Sequence, residues 1–282
     1  MSQEAWEGPT PHKNREKMTN ESTLPSDFLT EVSNFTLRIC TPIYWHDRRL
    51  PFPKEMRGGS CFTLRFGERL FGVTAAHVLQ AYRDAREQNA ATVCQLRLME
   101  FAFHDAVIDS DAALDIATFS VSEAQLKEIG GTAIDCTGQW PPPVPARMRA
   151  VSLAGFPEVL RITHPDRSAE FHAYGGLSAI EDFSEREILL TFDPKRERSL
   201  SALALPPLGF NMSGCSGGPA LIHGQRNGLH RWFPLGIIVR GSNRDSKNDR
   251  GDADAFDTIR VRRIHFVRED GTINRPTSGW LP

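Results

Sequence analysis

The sequence predicts an all-β protein built from two packed halves, and three observations carry that expectation. Short runs rich in Val, Ile, Thr and Phe recur along the chain, separated by Gly and charged residues. In the first half they are NFTLRICTPI (34–43), CFTLRF (61–66), RLFGVT (69–74), TVCQLRL (92–98) and LDIATFSV (114–121). The rhythm stops at GQWPPPVPA (138–146), where consecutive prolines fit neither a central strand nor a helix interior and read as a stiff linker. It then resumes with RMRAVSLAGF (147–156), FHAYGGLSAI (171–180), EILLTF (187–192), GGPALI (217–222), FPLGIIV (233–239) and FDTIRVRRIHFV (256–267). Two β-rich halves of similar length, without a fixed-period repeat, predict two packed barrels or sandwiches.

The elements follow in order. Residues 1–30 are polar and aperiodic and read as a flexible extension, with a short helix near Ser26 to Val32. The first β half is expected over 31–137, the linker over 138–146 and the second β half over 147–282. FGER (66–69) has the spacing of a hairpin connection. Two helices interrupt the first half. AAHVLQAYRDAREQ (75–88) has good helix formers and an apolar face, and SEAQLKEIG (122–130) opens on Ser122 as N-cap and closes at Gly130.

Composition excludes several classes. The 282 residues carry 33 Lys+Arg against 35 Asp+Glu, a formal net charge of -2. That balance offers no footprint for nucleic acid or an anionic membrane, so neither is expected as a direct partner. No apolar run approaches the roughly 18–20 residues that span a bilayer. The N-terminus lacks a basic cap followed by an apolar stretch, so no secretory signal is expected, and a cytoplasmic location follows. Cys40, Cys61, Cys94, Cys136 and Cys215 are odd in number, widely spaced and without a CxxC pair. They read as reduced thiols rather than a metal site, and neither metal nor cofactor is expected.

The residues that carry chemistry lie in three places. NMSGCSGGPAL (211–221) contains a Gly-x-Ser-Gly-Gly run from Gly214 to Gly218. Glycines permit positive φ and close backbone approach, so Ser216 can present its hydroxyl beside backbone N–H groups of the same turn. A plain Gly/Ser surface turn is the bland alternative. His77, in VTAAHVL (73–79), stands where a strand meets a helix, and alone it reads as a packed histidine. Asp115, in LDIAT (114–118), is expected in an apolar strand and needs a partner, because an unpaired buried carboxylate is costly. Asp105, Asp109 and Asp111 are its rivals. Together the three places supply what a serine nucleophile requires: an imidazole to take its proton and a carboxylate to orient the ring.

At this point the chain resembles the trypsin/chymotrypsin-like serine proteases, over roughly residues 34–267. The resemblance rests on GGSCFTL (58–64), TAAH (74–77), LDIA (114–117), GCSGGPAL (214–221) and LGIIVRGS (235–242), with His77, Asp115 and Ser216 in the chymotrypsin order. It implies two packed six-stranded antiparallel β-barrels with the active site in the cleft between them. It implies the N–H groups of Gly214 and Ser216 as oxyanion hole, and the backbone of Val239, Arg240 and Gly241 as the pairing edge for an extended protein or peptide substrate.

Three departures from that family shape the expectations. Cys215 stands where secreted members carry the Asp that anchors the activated turn to a freed N-terminus, so activation by cleavage is not expected. Val78 replaces a disulfide cysteine, which leaves Cys61 unpaired. Phe210 occupies the position implied for the floor of the main specificity pocket and points to apolar or small side chains; Asp254, or Arg240 acting through its side chain, are the alternatives. A regulatory protein partner is expected to order the oxyanion turn, with 1–30 and SNRDSKNDRGDAD (242–254) as candidate contacts.

Rival functions are a protease-fold binding or scaffold module, an α/β-hydrolase and a cysteine protease using Cys215. The intact trio argues against the first. Too little chain follows Ser216 to complete a parallel sheet for the second. Cys215 sits one residue before the presented position, so its thiol should point elsewhere.

Overall fold

The computed structural model describes residues 26–50, 56–164, 169–192, 212–226, 229–241 and 257–275. Residues 1–25, Phe210, Asp254 and the 242–254 segment lie outside these residues.

In chain order the elements of the first half are α1 (Ser26–Ile39), β1 (Cys40–Asp47), β2 (Arg57–Phe66), β3 (Arg69–Thr74), α2 (Ala76–Gln88), β4 (Thr92–Leu96), β5 (Met99–Glu100), α3 (Phe103–Ala106), β6 (Val107–Asp111), β7 (Ile116–Ser120), α4 (Glu123–Glu128) and β8 (Ala133–Asp135). The segment 138–146 carries neither helix nor strand. The second half holds β9 (Ala150–Gly155), a 3-10 turn (Glu158–Leu160), β10 (Arg161–Thr163), β11 (Ala169–Phe171), β12 (Tyr174–Phe183), β13 (Glu187–Phe192), β14 (Pro219–Arg226), β15 (Leu229–Gly241), β16 (Asp257–Arg263) and a second 3-10 turn (Ile264–Phe266).

The strands form an all-β arrangement of one closed barrel and a second sheet, consistent with the expected chymotrypsin-like double barrel, although among the described residues only the second half closes. In the second half β12-β13-β16-β15-β14-β9 close into a six-stranded barrel, every pair antiparallel. In the first half the order is β5-β4-β1-β2-β3-β7-β6, with β8 added to β2 in parallel. Its eight strands exceed the expected six by β5 and β8, two- and three-residue pieces too short to leave a periodic signal. The hairpin read at 66–69 is present: Phe66 pairs with Arg69 across Gly67, whose φ is +59°.

Each half has its own core, and a third cluster lies between them. Ile43, Leu79, Phe103 and Phe119 pack inside the first half, and Leu153, Ile180, Leu190 and Val261 inside the second. Between the halves, Phe62, Leu64 and Ile116 meet Leu221, Ile237 and Ile264. This shared core explains why β2 is buried almost continuously rather than alternately, since one face meets its own half and the other meets its neighbour.

One expectation fails here. Residues 34–39, read as the start of a strand, complete α1. Thr36 and Ile39 are buried and Phe35 half-buried, on one helical face. Phe35 stacks on Trp232 at 5.3 Å, and the Thr36 and Ser152 hydroxyls meet at 2.6 Å. Tertiary packing on the second half thus overrides the β-propensity of this β-branched, aromatic run. The helix read at 122–130 is sound: Ser122 and Gln125 form a reciprocal capping box.

Candidate active site

His77 is the second residue of α2, just after β3, where the sequence puts it between strand and helix. Ala76, Val78, Leu79 and Tyr82 bury the opposite face of that helix and so turn His77 outward. The N-cap residue Ala75 has no side chain to accept the first-turn N–H groups. Asp115 does this from across the fold, its Oδ1 accepting the His77 backbone N–H at 2.9 Å. The same carboxylate lies on the ring, with Oδ2 2.8 Å and Oδ1 3.1 Å from Nδ1. Negative charge at a helix N-terminus also suits the helix dipole.

Asp115 is not in the strand. It precedes β7 with φ +54°, a left-handed conformation that Asp tolerates better than most residues. The turn is held by Asp111 Oδ1, which accepts the Leu114 N–H at 2.8 Å, and by Arg186, which donates to the Ala113 carbonyl at 2.9 Å. The rivals are occupied elsewhere. Asp109 accepts from Ile273 N–H and Arg275, whose guanidinium also meets Asp111 at 3.1 Å. Arg275 holds the Asp109 carboxyl below the usual range. Asp105 lies in α3 and makes no bond to the His77 ring.

Ser216 stands in the turn between residues 212 and 218. The glycines around it are sterically required. A Cβ on Gly217 would come within 2.0 Å of the Ser60 carbonyl, and one on Gly218 within 2.1 Å of the Ala154 carbonyl. Gly214 has φ +92° and Gly217 φ +87°. Cys215 is buried with its thiol packed on Gly155 and does not line the cleft, and burial pushes that thiol far up. All five cysteines are buried free thiols.

The peptide planes of the turn are set by their carbonyls. In a trans peptide the C=O and N–H point opposite ways. The Ser213 carbonyl accepts from Glu158 N–H at 2.8 Å, which turns the Gly214 N–H to the other side. The Cys215 carbonyl accepts from Gly218 N–H at 2.9 Å and does the same for Ser216 N–H. Among the described residues neither N–H has an acceptor.

Ser60, in β2, belongs to the GGSCFTL run, but the sequence assigns it no role of its own. It is fully buried, and each of its polar groups is bonded. Its hydroxyl donates to the Gly214 carbonyl at 2.7 Å and accepts from Phe156 N–H at 2.9 Å. Its N–H donates to the Ser216 carbonyl at 2.8 Å, and its own carbonyl accepts from Thr74 Oγ1 at 2.8 Å.

His77, Ser213, Gly214 and Ser216 line one cleft of about 530 Å³, with Arg57, Glu158 and Arg161 among its other lining residues. Arg161 donates to the Met56 carbonyl at 2.8 Å. Among the described residues neither arginine has a carboxylate partner. No hydrogen bond joins the Ser216 hydroxyl to the His77 ring among the described residues; in sites without substrate such bonds are often long and tighten in the Michaelis complex.

Beside the turn, Gly217 N–H donates to Ile238 O at 2.8 Å and Ile238 N–H to Gly218 O at 2.9 Å. The pairing of β15 with β14 ends at Ile237. Val239 is a bulge where the register with β16 shifts, and Arg240 and Gly241 run past the turn with one edge on β16 and the other without a strand partner among the described residues. No group of His, Cys, Asp and Glu fit to hold a metal occurs among the described residues.

No family model matches the chain, and no curated protein matches it. Two solved structures are similar in outline. One comes from work on the coupled folding and binding of the intrinsically disordered Sesbania mosaic virus VPg protein, at 12% identity and TM-score 0.41, covering 82% of this chain and 91% of that one. The other is the thermostable serine protease AL20 from an extremophilic microorganism, at 12% identity and TM-score 0.39, covering 80% and 91%. At those values neither bears on the activity of this chain.

Proposed function

We propose that the chain is a serine endopeptidase acting on protein or peptide. The observation that carries the reading is the Asp115-held His77 ring facing the same cleft as Ser216, beside two backbone N–H groups without acceptors among the described residues. Ser216 Oγ adds to the scissile carbonyl carbon while its proton passes to His77 Nε2. The carbonyl oxygen gains negative charge, and the N–H groups of Gly214 and Ser216 receive it. Collapse breaks the C–N bond, the amine leaves with the proton from His77, and water hydrolyses the acyl-enzyme by the reverse proton path. A single oxyanion donor is worth roughly 10²–10³ in kcat, so the orientation of these two N–H groups weighs as heavily as the nucleophile's base.

Substrate backbone is proposed to pair with Val239 to Gly241 on the acyl side, with apolar or small side chains preferred. A fluorophosphonate probe tests the reading without knowledge of the substrate. The wild-type chain should be labelled on Ser216, and Ser216→Ala should lose labelling and hydrolysis while keeping its fold. A chain that is never labelled is a binding module on this fold instead.

A further inference from the structure

We propose that Ser60 is the positioning residue that keeps the oxyanion turn in working geometry. It replaces the carboxylate anchor that Cys215 lacks, so the site needs neither cleavage nor a partner to become ordered. This rests on the serine-hydrolase reading above and concerns the regulation of that same site.

The turn has two N–H groups to aim, on the Ser213–Gly214 and Cys215–Ser216 peptides. Ser60 grips the next carbonyl after each: Gly214 O through its hydroxyl at 2.7 Å and Ser216 O through its N–H at 2.8 Å. Both free N–H groups thus sit between pinned planes. The hydroxyl also receives Phe156 N–H at 2.9 Å, two residues before the Glu158 N–H that holds the Ser213 carbonyl. One side chain therefore joins three segments: β2, the loop after β9 and the nucleophile turn. The far end of Ser60 is held by Thr74 Oγ1 at 2.8 Å, three residues before His77. The donor turn and the strand leading to the base are thereby referenced to one buried residue.

A salt bridge to a freed N-terminus is conditional, since it forms only after a cut. A buried serine with all its polar groups bonded is unconditional, and ordering comes with folding. The inference stands against gating by a partner that orders this turn.

The test uses the isolated full chain and the saturation kinetics of fluorophosphonate inactivation, which separate the maximal rate kinact from the affinity KI. Ser60→Ala should lower kinact about 10- to 100-fold per folded molecule, short of the loss from deleting a donor itself, with KI within about twofold. A merely structural serine would lower labelling only in proportion to the folded fraction, read by circular dichroism, and an unchanged kinact in folded Ser60→Ala overturns the proposal. If Ser60→Ala does not fold, the near-isosteric Ser60→Cys decides, since its weaker donor should give an intermediate kinact and a wild-type value overturns the inference. Wild-type chain that is labelled only after an added protein or an N-terminal cut also overturns it. Wild-type chain never labelled under any of these conditions overturns the hydrolase reading itself.

Discussion

Asp115 does three things from one left-handed residue: it accepts the His77 N–H, orients the ring, and starts β7 at the required angle. Asn shares its tolerance of that conformation but leaves the ring in the wrong tautomer. Asp115→Asn should therefore fold normally and lose kcat on the order of 10⁴-fold. Asp109, six residues earlier, should behave oppositely. Its carboxylate serves Ile273 N–H and Arg275, so Asp109→Ala should cost about 1 kcal/mol of stability and leave kcat intact. Side-by-side urea melts and turnover measurements on the two variants check the assignment, and reversed outcomes would give the ring to the wrong carboxylate.

At the scale of elements, the segment from the 3-10 turn into β10 forms a wall of the cleft. It brings Glu158 and Arg161 opposite His77 and Val78 of α2, with Arg57 at the start of β2. On the proposed reading, with the acyl half of a substrate paired to Val239–Gly241, the leaving half would enter this cleft. Two arginines without carboxylate partners among the described residues outweigh one glutamate there, so acidic residues after the scissile bond should be favoured. Exposed ion pairs are worth only about 0.2–1 kcal/mol, which sets the preference at about 1.4- to fivefold in kcat/KM. Quenched peptides with Asp, Ala or Lys after the cut should show that order. Arg161→Ala should flatten it, and Glu158→Gln should steepen it. A preference for Lys would place the leaving half elsewhere.

For the whole molecule, the core shared by the halves makes site assembly and folding one event. The turn that carries Ser216 hangs from the second half and His77 from the first, and Phe62, Leu64, Leu221, Ile237 and Ile264 are packed between them. His265 sits in the 3-10 turn beside this core, its ring 4.1 Å from that of Phe266. Burial, and then the nearby charge of Arg263, push its pKa from 6.5 down to about 4. Between those values the unfolded chain binds a proton that the folded chain refuses, so stability falls as pH drops from 6.5 towards 4. Carboxylates with lowered values, such as Asp109, act in a separate window below their ordinary 3.8. Thermal melts should show the first loss already by pH 5, and His265→Asn should flatten the slope between 6.5 and 4 only. An unaltered slope would assign the acid sensitivity to other groups.

Local chemistry was enough to determine the β-rich class, the two interrupting helices, the hairpin at 66–69 and the glycine-bound turn around Ser216. Periodicity, capping residues and steric demands for glycine all act over a few neighbouring positions. It also nominated His77 and Asp115, with Asp105, Asp109 and Asp111 left as rivals, because four carboxylates on one stretch differ most in where the turn aims them. The tertiary structure puts Asp115 on the His77 ring through the left-handed residue, while Arg275 clamps Asp109 and Asp111. It turned 34–39 into helix, because burial against Trp232 and Ser152 outweighs β-propensity. It alone revealed Ser60, since a serine in an apolar strand shows its role only through partners 96 and 154 positions away.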